Sequence, residues 1–463
     1  MSSDARHVRL ITTGLLLGLI LSSIDQTIVS TAMPSVSNEL GGISLYSWVF
    51  AIYMLASTTS MPIYGKTADL FGRKKMYLIG LFFFLAGSAL CGFAETMTEL
   101  IVYRGIQGLG AGALMPIAFT ILADIYPPEK IGKFQGMFSA VFAVSSVLGP
   151  AIGGTIVEQW HWGWIFFINL PIGIPAFFLL AFSLKEKKGN EKRSIDWMGA
   201  VTLSGAVISL LLAMVLIGNG QEGGVPSEWQ SPRTIGLLSA STILLALFLW
   251  LETKAKEPII PLHLFKLPVI AFGNISGFFV SAALFSAIAY IPLFVQGGIG
   301  LSPSQAGYLL SPLMLATVVT SSIGGRLMSK VSYRTILLPS LAVMASGFFL
   351  LQLIDMDTPT SVIVLDLIFI GLGMGAVYPT LGTAAVRSVD PVNRGVASSS
   401  SQFFRSIGGT IGVSVLGSLL SHSFQTVFFA GFVFVCVSLL ATVFLGKARL
   451  IPKATSDRDS SVK

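Results

Sequence analysis

The chain has 463 residues, of which 53% are hydrophobic and only 11% charged, with a mean hydropathy of +0.80. Soluble domains carry roughly 25% charged residues, so a soluble globular protein is excluded. The net charge of +7 does not point to nucleic acid, because the excess sits in short loops beside apolar runs, where basic residues report membrane topology.

Apolar runs of about 20 residues predict helices near 10–31, 46–65, 76–94, 99–123, 134–157, 164–184, 197–217, 234–252, 268–295, 304–328, 335–354, 359–386, 397–420 and 425–446. With the N-terminus cytoplasmic, Lys66 and Arg73 to Lys75 share one cytoplasmic loop, Lys185 to Arg193 another, and Lys254, Lys256 and Lys266 a third. The C-terminal tail is then cytoplasmic too, and the alternate loops are nearly free of Lys and Arg, as the positive-inside rule requires. The first run resembles a secretory leader in having a basic start, but it continues through Asp25 to Thr31, and removing it would leave an odd number of helices. Cys91 and Cys436 lie in separate apolar runs and make neither a disulfide framework nor a metal site.

The first helix carries one acid, Asp25, and is expected to end at Ala32-Met33-Pro34. A carboxylate inside a span costs roughly 2.5–3.5 kcal/mol on insertion scales, so it is functional by default and faces a cavity or a partner. The second helix leads into Gly65-Lys66-Thr67-Ala68-Asp69-Leu70-Phe71-Gly72-Arg73-Lys74-Lys75. Two glycines there permit tight turns, and Asp69 either pairs with Arg73 or sits at the N-terminal end of a neighbouring helix. The fourth helix places Arg104 five residues in from Glu99, about 8 Å deep, at a depth similar to that of Asp25. An arginine in a span needs compensation as much as the acid does, so the least costly arrangement puts Arg104 and Asp25 in one polar chamber, paired directly or through water. An apolar site and a neighbouring arginine pull a carboxylate in opposite directions, which makes such a pair a two-state proton site. The spacing leaves open whether the two residues face each other.

The fifth helix contains Gly149-Pro150-Ala151-Ile152-Gly153-Gly154, combining close-approach glycines with a proline that removes a backbone donor. The chain also repeats itself. Gly371 to Pro379 matches Gly108 to Pro116 at an offset of 263, and Pro391 to Gly395 stands at the same offset from Pro128 to Gly132, the mark of a duplicated transporter architecture. Arg104 and Pro150 face Leu367 and Val413 in the second copy, so the charge and the helix breaker belong to the first half alone. The helices at 197–217 and 234–252 have no counterpart in either copy and are read as an insertion. In the second half, Asp366 is a second intramembrane acid, favoured as a cation-attracting or further proton site over a boundary carboxylate. Gln107, Tyr290 and Gln296 are candidate ligand contacts, and Arg405 is suited to an anion, a carbonyl or a substrate.

The loop after the second helix matches the G-x-L-a-D-r-x-G-r-k-x signature of the major facilitator superfamily at Gly65, Asp69, Gly72 and Arg73, departing at Thr67 and Leu70. Arg104, Gln107, Gly108, Gly110 and Ala111 match its R-x-x-Q-G-x-G-a pattern, and Gly149, Pro150, Gly153 and Gly154 its antiporter motif. With fourteen predicted spans and Asp25-Gln26-Thr27-Ile28-Val29…Pro34, the chain resembles the fourteen-helix drug:proton antiporter group, EmrB- and QacA-like. The resemblance implies an all-α membrane protein with two six-helix bundles, at 1–184 and 267–446. Residues 185–266 are then a linker with two extra transmembrane helices, and 447–463 a cytoplasmic tail. It implies a latch role for Asp69 and Arg73, proton coupling by Arg104 with Asp25, and location in a bacterial plasma membrane.

The expected function is proton-coupled efflux of lipophilic, preferentially cationic drugs by alternating access, in a monomer that needs no cofactor. The alternative is a dedicated exporter of one substrate, such as a tetracycline–metal complex, a lipid or a metabolite. An enzyme is not expected: the four histidines are scattered, and no H-E-x-x-H, G-x-S-x-G or phosphate-binding G-x-x-x-x-G-K-[ST] pattern occurs.

Overall fold

The computed structural model describes residues 2–41, 45–126, 128–184, 196–219, 228–301, 303–419 and 423–446. The charged run Lys185 to Arg193, the tail from residue 447 and the side chain of Pro150 lie outside that description. Among the described residues the chain is all helical. The first half comprises α1 (Ser2–Leu40), α2 (Tyr46–Phe71), α3 (Arg73–Gly92), α4 (Met97–Ile125), α5 (Pro128–Gln159), α6 (Trp164–Phe167) and α7 (Asn169–Ser183). Then come α8 (Trp197–Asn219) and α9 (Pro232–Glu252), followed by α10 (Pro268–Gly297), α11 (Pro303–Leu309), α12 (Ser311–Leu327), α13 (Tyr333–Leu351), α14 (Thr360–Gly375), α15 (Val377–Arg387), α16 (Arg394–Ser418) and α17 (Phe424–Val443).

Every predicted apolar run is helical, but three are broken in two: at Ile168, Leu310 and Ala376. Each break lies two or three residues before a proline, Pro171, Pro312 or Pro379, whose missing N–H would have bonded the carbonyl four residues earlier. Pro34 behaves differently. The first helix does not end there but continues to Leu40, with Ser37 donating to the Pro34 carbonyl at 2.9 Å. The second helix runs past Gly65 to Phe71 and stops at Gly72, whose φ of 100° is open to glycine and strained for other residues.

Ten helices or helix pairs among the described residues are long and apolar enough to cross a membrane. Helices α2 and α16 are not among those ten; both carry many Ser and Thr residues and pack against each other between the two halves, and Thr58 and Ser406 share a 2.6 Å hydrogen bond across that seam. A helix facing protein rather than lipid needs less hydrocarbon, and small hydroxyl residues allow close approach. Helices α5 and α12 form the second seam. Each half keeps its own apolar core. Helix α8 leans on both halves at once, with Leu203, Val207 and Leu211 packed beside Leu55 and Phe403, while α9 packs mainly on α8 and leaves most of its apolar side chains outward.

Candidate functional site

Arg104 and Gln107 stand one helical turn apart on α4 and therefore share a face. Both reach Asp25 on α1: Arg104 Nη1 lies 2.6 Å from Asp25 Oδ2, and Gln107 Nε2 donates to Asp25 Oδ1 at 2.7 Å. Arg104 Nη1 also donates to Gln107 Oε1 at 2.7 Å. Asn169, at the start of α7 just after the Ile168 break, donates to Asp25 Oδ1 at 3.2 Å and to Ser88 Oγ at 2.9 Å. Ser88 in turn donates to the Phe166 carbonyl at 2.9 Å. Asp25 and Gln107 are 0% exposed and Arg104 1%, so the group is sealed from solvent. Gln107, a candidate ligand contact from the sequence, is bonded into the ion pair. Gly87 of α3 makes this closeness possible, since any side chain there would collide with the Gln107 backbone.

The guanidinium also lies over the Tyr53 ring, 4.1 Å from its centroid, a cation–π seat on α2. The ion pair therefore ties α1 and α4 to a helix of the interbundle seam. Losing one member of a buried pair strands the other charge, at a cost of about 3–5 kcal/mol. Neutralising Asp25 with a proton would do the same without any change of sequence.

Helix α5 closes on α1 next to this site. Thr27 Oγ1 donates to the Ser145 carbonyl at 3.0 Å. A side chain at Gly149 would run into Thr27 and one at Gly153 into Ile28, whereas Gly154 has open space around it. The glycines at 149 and 153 thus set the α1–α5 distance within three residues of Asp25.

A second polar group fastens the halves at the basic end of the bundle. Asp69 accepts from the Gly395 and Val396 amides at 3.0 and 2.9 Å, at the N-terminus of α16, where unpaired N–H groups and the helix dipole favour an anion. Arg73 lies 3.4 Å from Asp69, donates to the Pro391 carbonyl at 2.8 Å and pairs with Asp124. Arg394 Nη1 reaches Asp124 Oδ1 at 2.8 Å, and Ser398 donates to the Pro116 carbonyl at 2.8 Å. A side chain at Gly65 would strike Ser399 and the Gly395 carbonyl. Burial pushes the Asp69 carboxyl up to about 6, against the opposing pull of the Val396 amide and Arg73.

The other candidates do not gather. Asp366 is buried in α14 with Oδ2 unbonded, Tyr290 donates to the Val413 carbonyl at 2.6 Å, and Gln296 is exposed near the end of α10. No hydrogen bond joins any two of them among the described residues. Conversely, sequence reading does not single out Asn169, Ser88, Tyr53 or Asp124. Asn169 had one available signal, as an amide inside the apolar stretch Ile165 to Leu170 and two residues before a proline.

The family model described as Major Facilitator Superfamily matches residues 15–413 and 273–462. The chain is 43% identical over 423 residues to multidrug transporter protein MdtP of Bacillus subtilis (strain 168), covering 91% of this chain and 77% of the relative. It is 41% identical over 416 residues to multidrug resistance protein 3 of the same organism, covering 90% and 80%. The fold is that of the human organic anion transporter MFSD10, with a TM-score of 0.68 at 16% identity over 95% of this chain and 99% of that one. The proton:xylose symporter XylE also gives a TM-score of 0.68, at 14% identity over 96% and 98%. The chain belongs to the Major Facilitator Superfamily, a family of membrane transporters rather than enzymes.

Proposed function

We propose that the protein is a proton-coupled multidrug antiporter of the fourteen-helix group, exporting lipophilic and preferentially cationic compounds across a bacterial plasma membrane. The observation that carries the coupling is the sealed Asp25–Arg104 pair, seated on Tyr53 of α2, a helix of the interbundle seam. A proton on Asp25 removes the counter-charge of Arg104, and the cation must then find another place. Because Arg104 also rests on α2, that movement is felt where the two halves meet. Each charge carried inward across the membrane gains about 2.3 kcal/mol per 100 mV, enough to sustain a useful concentration ratio of drug.

With both termini cytoplasmic, the basic end is the cytoplasmic end, and the Asp69 group is fastened across the opening through which a rocking cycle would admit drug from the cell interior. The names of the two Bacillus relatives, a multidrug transporter and a multidrug resistance protein, favour a broad drug range over a dedicated exporter, and the glycines that hold α5 to α1 fit export. Purified protein in liposomes with an acidic lumen tests the coupling: adding ethidium should release protons from the lumen, and Asp25→Asn should abolish the release. Ethidium movement with no accompanying proton flux would sink proton coupling and leave the fold assignment untouched.

A further inference from the structure

Arg405 presents a contrast with Arg104. It lies eleven residues into the 25-residue α16, about 16 Å along the axis and near the middle of the helix. It is 9% exposed, and no carboxylate bonds to it among the described residues. Its partners are neutral: Gln402 Oε1, one turn earlier on the same helix, and the face of Tyr378, whose centroid is 4.4 Å from the guanidinium carbon. Tyr378 is itself fixed by a 2.5 Å hydrogen bond with Ser281, and Gly277 of α10 leaves room for the arginine stem. Two buried donors are left without acceptors, Arg405 Nε and Gln402 Nε2, with Gln402 itself 7% exposed.

A buried cation with no counter-charge is costly, and buried N–H groups without acceptors add to that cost. Both deficits are removed by the same visitor: an anion with two oxygens placed to take two hydrogen bonds from a guanidinium fork. We propose that Arg405 and Gln402 form a subsite for the carboxylate or sulfonate of a lipophilic substrate, which extends the cargo from cations to zwitterions and anionic amphiphiles. This rests on the reading of the chain as a drug exporter and specifies one end of its ligand. Asp25 does not serve the same subsite, being already bonded to Arg104, Gln107 and Asn169.

The test uses two dyes that differ at one group, rhodamine B with a free carboxylate and rhodamine B ethyl ester, in which it is masked. Equilibrium binding to the full-length protein in nanodiscs is read by fluorescence anisotropy for the native chain, Arg405→Gln and Arg405→Lys. The expected result is that Arg405→Gln weakens rhodamine B by about tenfold or more, the size of a lost charge-assisted hydrogen bond, with the ester changed by less than about twofold. Arg405→Lys should keep part of the preference. Taking the ratio of the two dyes within each variant cancels any loss of folded protein. An equal effect of Arg405→Gln on both dyes, or no effect on either, overturns the subsite. Failure of the exporter reading looks different: no dye would be driven by a proton gradient, while binding still separated the carboxylate from its ester.

Discussion

The guanidinium of Arg104 is shared between two helices, bonded to Asp25 of α1 at 2.6 Å and resting 4.1 Å above the ring of Tyr53 on α2. Both partners belong to the interior of the first bundle, but Tyr53 is carried by α2, a helix whose other face packs on α16 of the second half. A change in charge at Asp25 therefore reaches α2, the helix that packs on α16 of the second half.

The pair should behave as a unit in stability. Arg104→Met leaves a buried carboxylate with only Gln107 and Asn169 as donors and should cost about 3–5 kcal/mol. Adding Asp25→Asn removes the stranded charge and should restore much of that loss. Thermal unfolding of the single and double variants in nanodiscs, followed by tryptophan fluorescence, checks this; additive losses would show that the two residues do not depend on each other.

The glycines of α5 should divide sharply. Gly149 lies against Thr27 and Gly153 against Ile28, whereas nothing stands within 4 Å of a side chain added at Gly154. Gly149→Val forces α5 away from α1 and should lower drug transport by about tenfold, in keeping with the 1–3 kcal/mol cost of overpacking. Gly154→Ala should leave transport within about twofold of native. Similar losses at both positions in a vesicle uptake assay would contradict the idea that close α1–α5 contact is what these glycines provide.

Closure at the basic end should depend on pH. The Asp69 carboxyl, beyond the apolar part of α2, is raised to about 6, chiefly by burial. A carboxyl raised in the closed arrangement favours closure when protonated. Its stabilising contribution is complete below the ordinary carboxylate range and is lost as pH rises through about 6. Spin labels at Phe71 and Val392, both exposed, should report a larger closed fraction at pH 5 than at pH 7.5 by pulsed dipolar spectroscopy. In Asp69→Asn that difference should vanish, and an undiminished pH response would assign it to another group.

Much of this was legible in the chain because membrane helices write themselves as long apolar runs, and because a buried charge stands out against them. Asp25, Arg104 and Asp366 are conspicuous for that reason, and the duplication shows in the spacing of glycines. Asn169 is not conspicuous, since a neutral amide costs less in an apolar run, and its meeting with Asp25 spans 144 positions. Asp124 looks like an ordinary acid at a helix end; only the packing of α4 against α16 brings Arg394 to it. The helix breaks were implicit in Pro171, Pro312 and Pro379, but Pro34 shows that a proline alone does not decide, since α1 continues through it. What periodicity carries, the sequence displays; what depends on two distant helices meeting, it does not.

Proton coupling in this chain rests most directly on Asp25. In inverted membrane vesicles energised to an acidic interior, the native chain should accumulate ethidium, and Asp25→Asn at matched expression should lose gradient-driven uptake while still binding the dye. Uptake by Asp25→Asn that matches the native chain and still collapses when the gradient is dissipated would contradict this role, because proton coupling would then run without the Asp25–Arg104 pair.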